Sequence, residues 1–584
     1  MNVLLDIALP RTLDQWEKEL PQTPRHATVE GWLFEGPQAR RAAEQRLRSA
    51  GVEVHLRSAY KPLVHHFLED LAREDLVRVT VHYPVHPNAS PRRFALEAYP
   101  LADMLRGVRL QLVPKPEADE LPVYEVELEW RDGRHRTDTV FAPNRVHVDH
   151  LGETLLSPTA WLRERRGQTV VADGPRESDH EAVFRHAMDC LQKHAWPEAE
   201  PYFPRLDIRI DLPGIATAPA RETGWINSHE ALHEDLYFSL LEVFQQRSGR
   251  PAGDRRLQPG QIVPDVRASE GAVRLRIGVG PWTPPGKEAT SAPDTTPLEK
   301  AGAPLPASRV TSELARIEGQ RFEALSVQGR AVAGVYHPGA GLAVLISGAQ
   351  HANETSGVVG ALRAAHELAR RPNAHFALIP LENPDGYALH RELCAHAPRH
   401  MHHAARYTAL GDDLEYREQP PYFERNARHQ AFALSGAQLH VNLHGYPAHE
   451  WTRPFCGYIP RGFELWTVPK GFFLIVRHHT GWATQARALT ESVCHQLALR
   501  ADLMGFNASQ RASYNAHAGE LPFEVIDGTA CMISEVNRPG PALTLITEFP
   551  DETIYGEPFI FAHDIQTATV LAAVDALGSI SSDP

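Results

Sequence analysis

Residues 281–309 contain seven prolines, in the runs Pro-Trp-Thr-Pro-Pro-Gly-Lys and Gly-Ala-Pro-Leu-Pro-Ala among others. Proline lacks the backbone N–H that helices and sheets use, so this spacing predicts an extended linker over 281–310 without regular elements. We expect the linker to divide the chain into two halves. A length of 584 residues allows two to four domains at ~100–200 residues each.

The first half shows patterns of mixed type. Strand periodicity covers 3–9 and 30–34, and a helical pattern covers 37–50, which predicts a small α+β domain over 1–105. Further on, 123–130 and 206–212 alternate as strands do, while 181–194 and 230–247 have helical spacing. These patterns predict a second α+β domain over 106–280, and periodicity alone assigns it no chemistry.

The second half alternates short apolar runs with a helical pattern. The runs cover 342–347, 376–381, 438–443 and 542–547, and the helical pattern covers 355–370. Continuous apolar strands that alternate with helices are typical of an α/β fold with parallel pairing. Ligand sites in such sheets form beyond the carboxyl ends of the strands. We therefore expect the polar residues at these ends to lie close together.

Composition excludes several classes of function. Lys and Arg total 59 and Asp and Glu total 73, so the net charge of −14 disfavours nucleic acid as a partner. No run of ~18 apolar residues is evident, and the first residues lack a basic segment, so we expect neither membrane association nor secretion. The five cysteines form no CxxC pair. These features predict a cytoplasmic protein, and a homo-oligomer stays possible.

Residues suited to binding a metal follow the predicted strands. His351 and Glu354 lie three residues apart after the strand 342–347, and His444 follows the strand 438–443. Two imidazoles and a carboxylate are the three protein ligands of many catalytic zinc sites, whose fourth position is left for water. Glu548 follows the last strand, where a carboxylate can take a proton from such a water.

Four motifs in this half occur in the order found in one enzyme family. They are Gly-Ala-Gln-His-Ala-Asn-Glu over 348–354, Asn-Pro-Asp-Gly over 383–386, His444, and Thr-Glu-Phe over 547–549. Over 311–584 the chain resembles the zinc carboxypeptidases of the carboxypeptidase A type. The resemblance does not extend to the first half. It implies a mixed-sheet catalytic domain that binds one Zn²⁺ ion per chain.

The same resemblance implies roles for individual residues. His351, Glu354 and His444 would hold the zinc ion, and Glu548 would act as the general base. Arg406 matches the arginine that polarises the carbonyl of the bond to be cut. The family then uses an Asn-Arg pair to bind the terminal carboxylate of the substrate. At the matching place this chain has Glu415 and Tyr416.

This departure bears on the substrate. A glutamate repels a carboxylate and favours an ammonium or a hydrogen-bond donor, whereas arginine binds a carboxylate through two parallel hydrogen bonds. The sequence therefore predicts zinc-dependent hydrolysis of an amide in a peptide or small molecule, with altered recognition of the leaving side. Alternatively, an arginine nearby replaces the missing one. The candidates are Arg417, one residue along, and Arg425, Arg428 and Arg453.

Other interpretations stay open. The lost pair is also compatible with a deacylase of small N-acyl amines, and a peptidase fold without activity could serve as a binding module. The first half contains the HExxH pattern at His229 and His233, which would suit a second enzyme. We interpret this pattern instead as the polar face of an amphipathic helix. We interpret His396, His400, His402 and His403 as a solvated loop.

Overall fold

The computed structural model describes residues 2–22, 27–118, 120–219, 225–282 and 295–580. In the first half the strands are β1 (Asn2–Leu9), β2 (Ala27–Leu33), β3 (Glu53–Ser58), β4 (Leu76–Tyr83), β5 (Arg109–Pro114), β6 (Val123–Trp130), β7 (His135–Phe141), β8 (Asn144–Val148), β9 (Thr154–Pro158), β10 (Ala160–Arg166), β11 (Thr169–Arg176), β12 (Arg205–Leu212), β13 (Ala216–Thr217), β14 (Ile226–Asn227), β15 (Gln261–Ala268) and β16 (Val273–Gly280). The helices are α1 (Thr12–Glu19), α2 (Pro37–Ser49), α3 (Pro62–Glu69), α4 (Arg93–Glu97), α5 (Leu101–Met104), α6 (Asp179–Lys193) and α7 (Ser228–Ser248).

In the second half the strands are β17 (Gln320–Leu325), β18 (Ala331–His337), β19 (Val344–Gly348), β20 (Phe376–Ile379), β21 (Leu439–Pro447), β22 (Phe473–His478), β23 (Glu524–Ile526), β24 (Thr529–Glu535) and β25 (Leu543–Glu552). The helices are α8 (Ala307–Ala315), α9 (Ser356–Leu368), α10 (Pro384–Cys394), α11 (Asn426–Ser435), α12 (Ala483–Ala498), α13 (Ala501–Ala518) and α14 (Glu557–Ile580). The elements predicted from periodicity are present, and most of their ends lie within three residues of the predicted ones.

Three four-stranded sheets form the α+β first half. Their strand orders are β1-β16-β12-β15, β11-β10-β2-β3 and β5-β4-β6-β7. Each sheet joins strands from both sides of residue 105, so the structure does not divide at the predicted boundary between 1–105 and 106–280. The reason is long-range pairing, which periodicity does not reveal: β1, at the start of the chain, pairs with β16, which ends at Gly280.

The second half is built on one nine-stranded mixed sheet. The strand order is β17-β18-β20-β19-β21-β25-β22-β24-β23, in which β20, β19, β21 and β25 run parallel. Both faces are covered, because α9, α12 and α14 pack on one side and α11 packs on the other. The predicted α/β class of 311–584 is confirmed. The parallel strands bring the residues that follow them to one edge of the sheet.

The last helix is long and apolar. By length and composition alone, the segment Glu557–Ser579 is long and apolar enough to cross a membrane. However, 61% of its most apolar 18-residue stretch is buried inside the fold. It packs against α9 and α12 in the main core of the second half. Its composition is therefore accounted for by burial against these two helices.

The predicted linker is shorter than 281–310. Residues 283–294 lie outside the described residues, but a 3₁₀ helix covers Leu298–Lys300 and α8 begins at Ala307. The prediction of no regular element is therefore wrong at the C-terminal end of this range. Pro306 immediately precedes α8, a place where its missing N–H costs the helix nothing.

The two halves share a hydrophobic core. Side chains of β12, β15, β16 and α7 are buried together with side chains of α10 and of the segments that follow α10 and β21 in the second half. The second half contributes Leu389, Met401, Tyr407, Trp451 and Phe455. The segment that follows α10 is therefore fixed by the first half of the chain as well as by its own sheet.

Candidate metal centre

Three elements bring the predicted metal ligands together. His351 and Glu354 lie in the turn between β19 and α9, and His444 lies in β21, which pairs with β19. Glu354 Oε1 is 2.8 Å from His351 Nδ1, and Glu354 Oε2 is 2.8 Å from His444 Nδ1. The two Nδ1 atoms are 3.1 Å apart. One nitrogen or oxygen atom of each residue thus faces the same point.

This donor set fits a zinc ion. The three ligand atoms lie within 4.8 Å of one another, and all three side chains are buried. Burial lowers the pKa of His444, which favours its neutral, ligating form. Burial opposes ionisation of Glu354, but His351, Arg406 and His444 outweigh it and hold the pKa of Glu354 well below its ordinary value. Glu354 and His444 therefore favour the protonation states that a metal requires.

Asp413 contacts His351 on the ring nitrogen that does not face the other ligands. Its Oδ2 atom is 3.4 Å from His351 Nε2, and its Oδ1 atom accepts a hydrogen bond from Gln350 Nε2 at 3.0 Å. Burial opposes ionisation of Asp413, but the charge and hydrogen bond of His351 keep the pKa of Asp413 well below its ordinary value. A carboxylate at Nε2 keeps the proton on that nitrogen and leaves the Nδ1 lone pair for a metal.

The predicted general base lies beside the ligands. Glu548 is in β25, where its partner in the parallel ladder is His444. Its side chain lines the same cavity and has no hydrogen-bond partner among the described residues. Burial, and secondly the charge of Glu354, raises the pKa of Glu548 well above its ordinary value. Glu548 is thus placed and tuned to accept a proton inside the cavity.

Arg406 is at the site as predicted. Its Nη1 atom donates a hydrogen bond to Glu354 Oε1 at 2.7 Å, and its Nε–H is buried without an acceptor among the described residues. The Asn-Pro-Asp-Gly turn supports it, because Asn383 caps α10 through Gly386 N and donates from Nδ2 to Tyr407 O at 3.0 Å. This turn therefore positions the segment that carries Arg406.

A cavity of about 150 Å³ opens in front of these groups. Aromatic and aliphatic side chains form one wall, namely Trp451, Phe463, Trp466, Ile475 and Ile546. Two further lining residues come from the first half of the chain: Phe238 of α7 and Arg255, in the segment between α7 and β15. Sequence reasoning missed both, because neither belongs to a motif. The cavity is thus built from both halves.

Glu415 lines the cavity but is already paired. Its carboxylate accepts hydrogen bonds from Arg428 at 2.6 Å and Arg538 at 2.8 Å, and Arg477 lies 3.7 Å away. Burial raises the pKa of Glu415, but Arg428, Arg425 and Arg538 outweigh it and lower the pKa to about 2. The structure does not support strong repulsion of a substrate carboxylate, because these arginines neutralise the charge on Glu415.

The two residues after Glu415 differ in position. Tyr416 lines the cavity, and its ring lies 5.6 Å from the guanidinium carbon of Arg255. Arg417 is buried and donates to Asp412, Thr408 and Glu424. It is not among the residues that line the cavity, so the structure does not support its predicted contact with substrate. Arg417 immediately follows the short 3₁₀ turn Leu414–Tyr416, and its hydrogen bonds hold its side chain outside the cavity.

The other arginines suggested from the sequence are also engaged elsewhere. Arg425 donates to the carbonyl groups of Leu414 and Glu415, and Arg453 donates to Glu242 and Ser239. Arg428 donates to Glu382, Glu415 and Gln350. None of the three lines the cavity around the candidate ligands. Their donors are therefore committed to holding loops in place.

The HExxH helix is buried, so the interpretation of these residues as a solvent-facing polar face is wrong. His229 Nε2 is 3.1 Å from the carbonyl oxygen of Leu212, and Glu230 Oε1 is 2.7 Å from His449 Nε2. His233 is 1% exposed. Within the described ranges, only His351, Glu354 and His444 converge as a metal ligand set. The pattern therefore belongs to the packing between the halves.

The histidine-rich loop is buried as well. His400, His402 and His403 pack against α7, and His403 Nδ1 is 2.6 Å from Glu234 Oε2. The prediction of a solvated loop is wrong for these three residues, because the first half covers them. Only contact between distant parts of the chain, which composition does not reveal, accounts for their burial.

No protein-family model and no curated protein matches this sequence. Similar solved structures include a candidate metallopeptidase from Shewanella denitrificans (15% identity, 46% of this chain and 88% of that one, TM-score 0.30) and a metallo-carboxypeptidase from Burkholderia cenocepacia (13%, 54% and 77%, 0.30). Another is a succinylglutamate desuccinylase/aspartoacylase from Rhodobacter sphaeroides (12%, 45% and 66%, 0.25).

Proposed function

We propose that this protein is a metal-dependent hydrolase that cleaves an amide bond in a peptide or a small acylated amine. The observation that supports this most strongly is the convergence of His351, Glu354 and His444 at a cavity that also holds Glu548. A complete ligand set beside an unpaired carboxylate is the arrangement that metal-assisted hydrolysis requires. It also disfavours a binding module on an inactive fold, which would not need these groups together.

The chain supplies the remaining chemistry through its own residues. A zinc ion held by the three ligands would supply Lewis acidity and lower the pKa of water. Glu548 accepts a proton from the attacking water while the oxygen of that water forms a bond to the carbonyl carbon. Arg406 donates a hydrogen bond to the oxyanion that develops on the former carbonyl oxygen. When the C–N bond breaks, Glu548 returns the proton to the leaving nitrogen.

Metal content and hydrolysis test this proposal together. We expect one zinc ion per chain by plasma mass spectrometry in the parent and in Glu548→Gln, and none in a His351→Ala, His444→Ala double variant. Hydrolysis of pooled N-acyl dipeptides and N-acyl amino acids should be lost in the double variant and fall ~10²–10⁴-fold in Glu548→Gln. The two substrate pools separate a peptidase from a deacylase.

A matched control is His495→Ala, because the side chain of His495 is 79% exposed and does not line the cavity. It should keep both zinc and activity. Absence of metal from the parent after purification without chelators would contradict the proposal and favour a binding module. Hydrolysis that survives in the double variant would also contradict it.

A further inference from the structure

Two arginines at the cavity have donors to spare. Arg255 and Arg477 line it, and the guanidinium of neither donates a hydrogen bond to any described residue. Arg255 forms a long ion pair with Asp413 Oδ2 at 3.5 Å, and Arg477 forms one with Glu415 Oε1 at 3.7 Å, so neither guanidinium commits its N–H groups to a short hydrogen bond. Their side chains are 36% and 28% exposed, against 16% for Arg406. They are the arginines most accessible to a substrate here.

All the carboxylates that line the cavity or hold its ligands, except Glu548, are already engaged. Glu354 accepts hydrogen bonds from Arg406 and from Gly445 N, and Glu415 accepts from Arg428 and Arg538. Asp413 accepts from Gln350 and from the backbone of Glu415. Apart from Glu548, which is left to accept a proton, the carboxylate acceptors of the cavity are thus engaged while arginine donors remain free. This balance favours a ligand that brings its own negative charge.

We infer that Arg255, from the half of the chain outside the catalytic domain, is a specificity-determining residue that binds a carboxylate of the substrate. This inference rests on the proposed hydrolytic function and names the class of substrate. Arg255 and His351 both approach the same oxygen, Asp413 Oδ2, so the guanidinium lies close to the proposed metal. An arginine fork binds a carboxylate through two parallel hydrogen bonds and so orients the amide beside it.

The fold holds Arg255 in a fixed position. Its carbonyl oxygen accepts a hydrogen bond from Asp413 N at 3.1 Å, and Gly260 N donates to Leu410 O at 2.9 Å. Gly411 has φ +88°, and a Cβ there would lie 2.6 Å from Gly260 O, so the two segments approach each other too closely for a side chain. These contacts join the segments that carry Arg255 and Asp413.

Aromatic rings hold the guanidinium itself. Its central carbon lies 5.6 Å from the ring centre of Tyr416 and 5.7 Å from that of Phe463. Cation–π contact orients the guanidinium without using its N–H donors. The same geometry gives Tyr416 a role in place of the missing Asn-Arg pair: it supports an arginine supplied by the other half of the chain.

Binding of a matched pair of ligands tests the inference. The full-length Glu548→Gln protein is used, because it keeps the site while hydrolysing the ligand ~10²–10⁴-fold more slowly. N-benzoylglycyl-L-phenylalanine and its carboxamide differ only in the charge of one group, and the phenylalanine suits the aromatic wall. We expect calorimetry to show the carboxylate binding at least tenfold more tightly than the carboxamide.

Arg255→Ala in this background should reduce that preference at least fivefold and leave carboxamide binding within twofold. Arg255→Lys should restore only part of the preference, because an ammonium lacks the planar fork. The control is Arg256→Ala, since Arg256 is 58% exposed and paired with Asp254, and it should behave as the background does. An unchanged preference in Arg255→Ala, or no preference in the background protein, would overturn the inference.

The outcome is separate from that of the proposed function. If the parent hydrolyses no amide but the carboxylate preference depends on Arg255, the hydrolytic function fails and the binding role stands. If hydrolysis depends on zinc and Glu548 while Arg255→Ala keeps the full preference, the function stands and the inference fails. If Arg255→Ala folds poorly, Arg477→Ala provides a second variant, from the other wall of the cavity. It should also weaken binding of the carboxylate ligand.

Discussion

Each proposed metal ligand has a hydrogen bond of its own that holds it in place. His351 is fixed by Asp413 at Nε2, and the backbone of His444 is fixed by Thr547 Oγ1 at 3.1 Å and Gln566 Nε2 at 2.9 Å. Glu354 accepts from Arg406 and from Gly445 N. Ligands held in this way lose little freedom when a metal binds, which favours tight binding.

The contribution of Asp413 can be measured. Asp413→Asn keeps the shape of the side chain but removes the charge that supports His351, so the zinc affinity should fall ~10–100-fold. Competition with a chromophoric chelator measures this affinity directly. Asp502→Asn is the control, because that side chain is 51% exposed and should leave the affinity unchanged. An affinity within twofold of the parent in Asp413→Asn would argue against a supporting role.

The residues of the centre differ in how far sequence could predict them. His351 and Glu354 follow β19, and His444 and Glu548 lie in the carboxyl-terminal halves of β21 and β25, so strand periodicity and the rule about carboxyl ends of strands predict their proximity. Arg255 lies far from them in the chain, in a segment without a motif. Its place depends on how the two halves pack, which is a long-range contact and leaves no local pattern.

At the scale of elements, helix α7 is buried on a side that its sequence periodicity does not identify as buried. Its start and end were predictable, since Asn227 caps the first turn and Gly249 in the left-handed region ends the last. The sequence predicts its charged side to be the polar face of an amphipathic helix. Instead Glu230, Glu234 and Asp235 are buried against the loop that precedes Arg406 and the segment that follows β21. Hydrogen bonds to these segments offset the loss of solvent.

The histidine loop against α7 should respond to acid. Burial lowers the pKa of His402 to about 4. Between pH 6.5 and 4 the unfolded chain therefore binds a proton at His402 that the folded chain does not, so its contribution to stability is present above pH 6.5 and is lost as the pH falls. His233, His390 and His400 face His402, and burial lowers the pKa of each of them as well, so the surroundings of His402 stay uncharged in mild acid.

His402→Gln isolates this contribution. Glutamine can still donate to the carbonyl oxygen of Ala397, as His402 Nε2 does at 2.7 Å. Between pH 7 and pH 5 the parent should lose about 2 kcal/mol more unfolding free energy than His402→Gln. Urea titrations at the two pH values measure the difference. An equal loss in both proteins would show that His402 does not titrate in this way.

At the scale of the whole molecule, the halves are joined by charged contacts as well as by a shared core. Lys61 of the first half donates to Glu450 of the second, and both are buried. Tyr60 Oη is 2.6 Å from Thr452 Oγ1, and Arg453 donates to Glu242. Separation would leave these groups unpaired in an apolar surface, which is costly. The halves are therefore expected to fold and act as one unit.

Separate production of the halves tests this unity. Residues 295–584 alone should aggregate in size-exclusion chromatography and bind no carboxylate ligand, because their core partners and Arg255 are missing. Co-expression with 1–294 should restore both properties. As a control, cleavage of the intact protein at a protease site inserted in 283–294 should leave activity unchanged. A monomeric, fully active 295–584 fragment would contradict the prediction.

The shared core also has a consequence for synthesis on the ribosome. Phe34, Tyr60 and Phe238 are made first, whereas Tyr407, Trp451 and Phe455, which share their core, come later in the chain. At roughly 5–20 residues per second, the second half takes about 15–60 s to translate. Throughout that interval the nascent first half displays an uncovered aromatic surface. Translation of the second half is therefore the period in which this protein most needs chaperones.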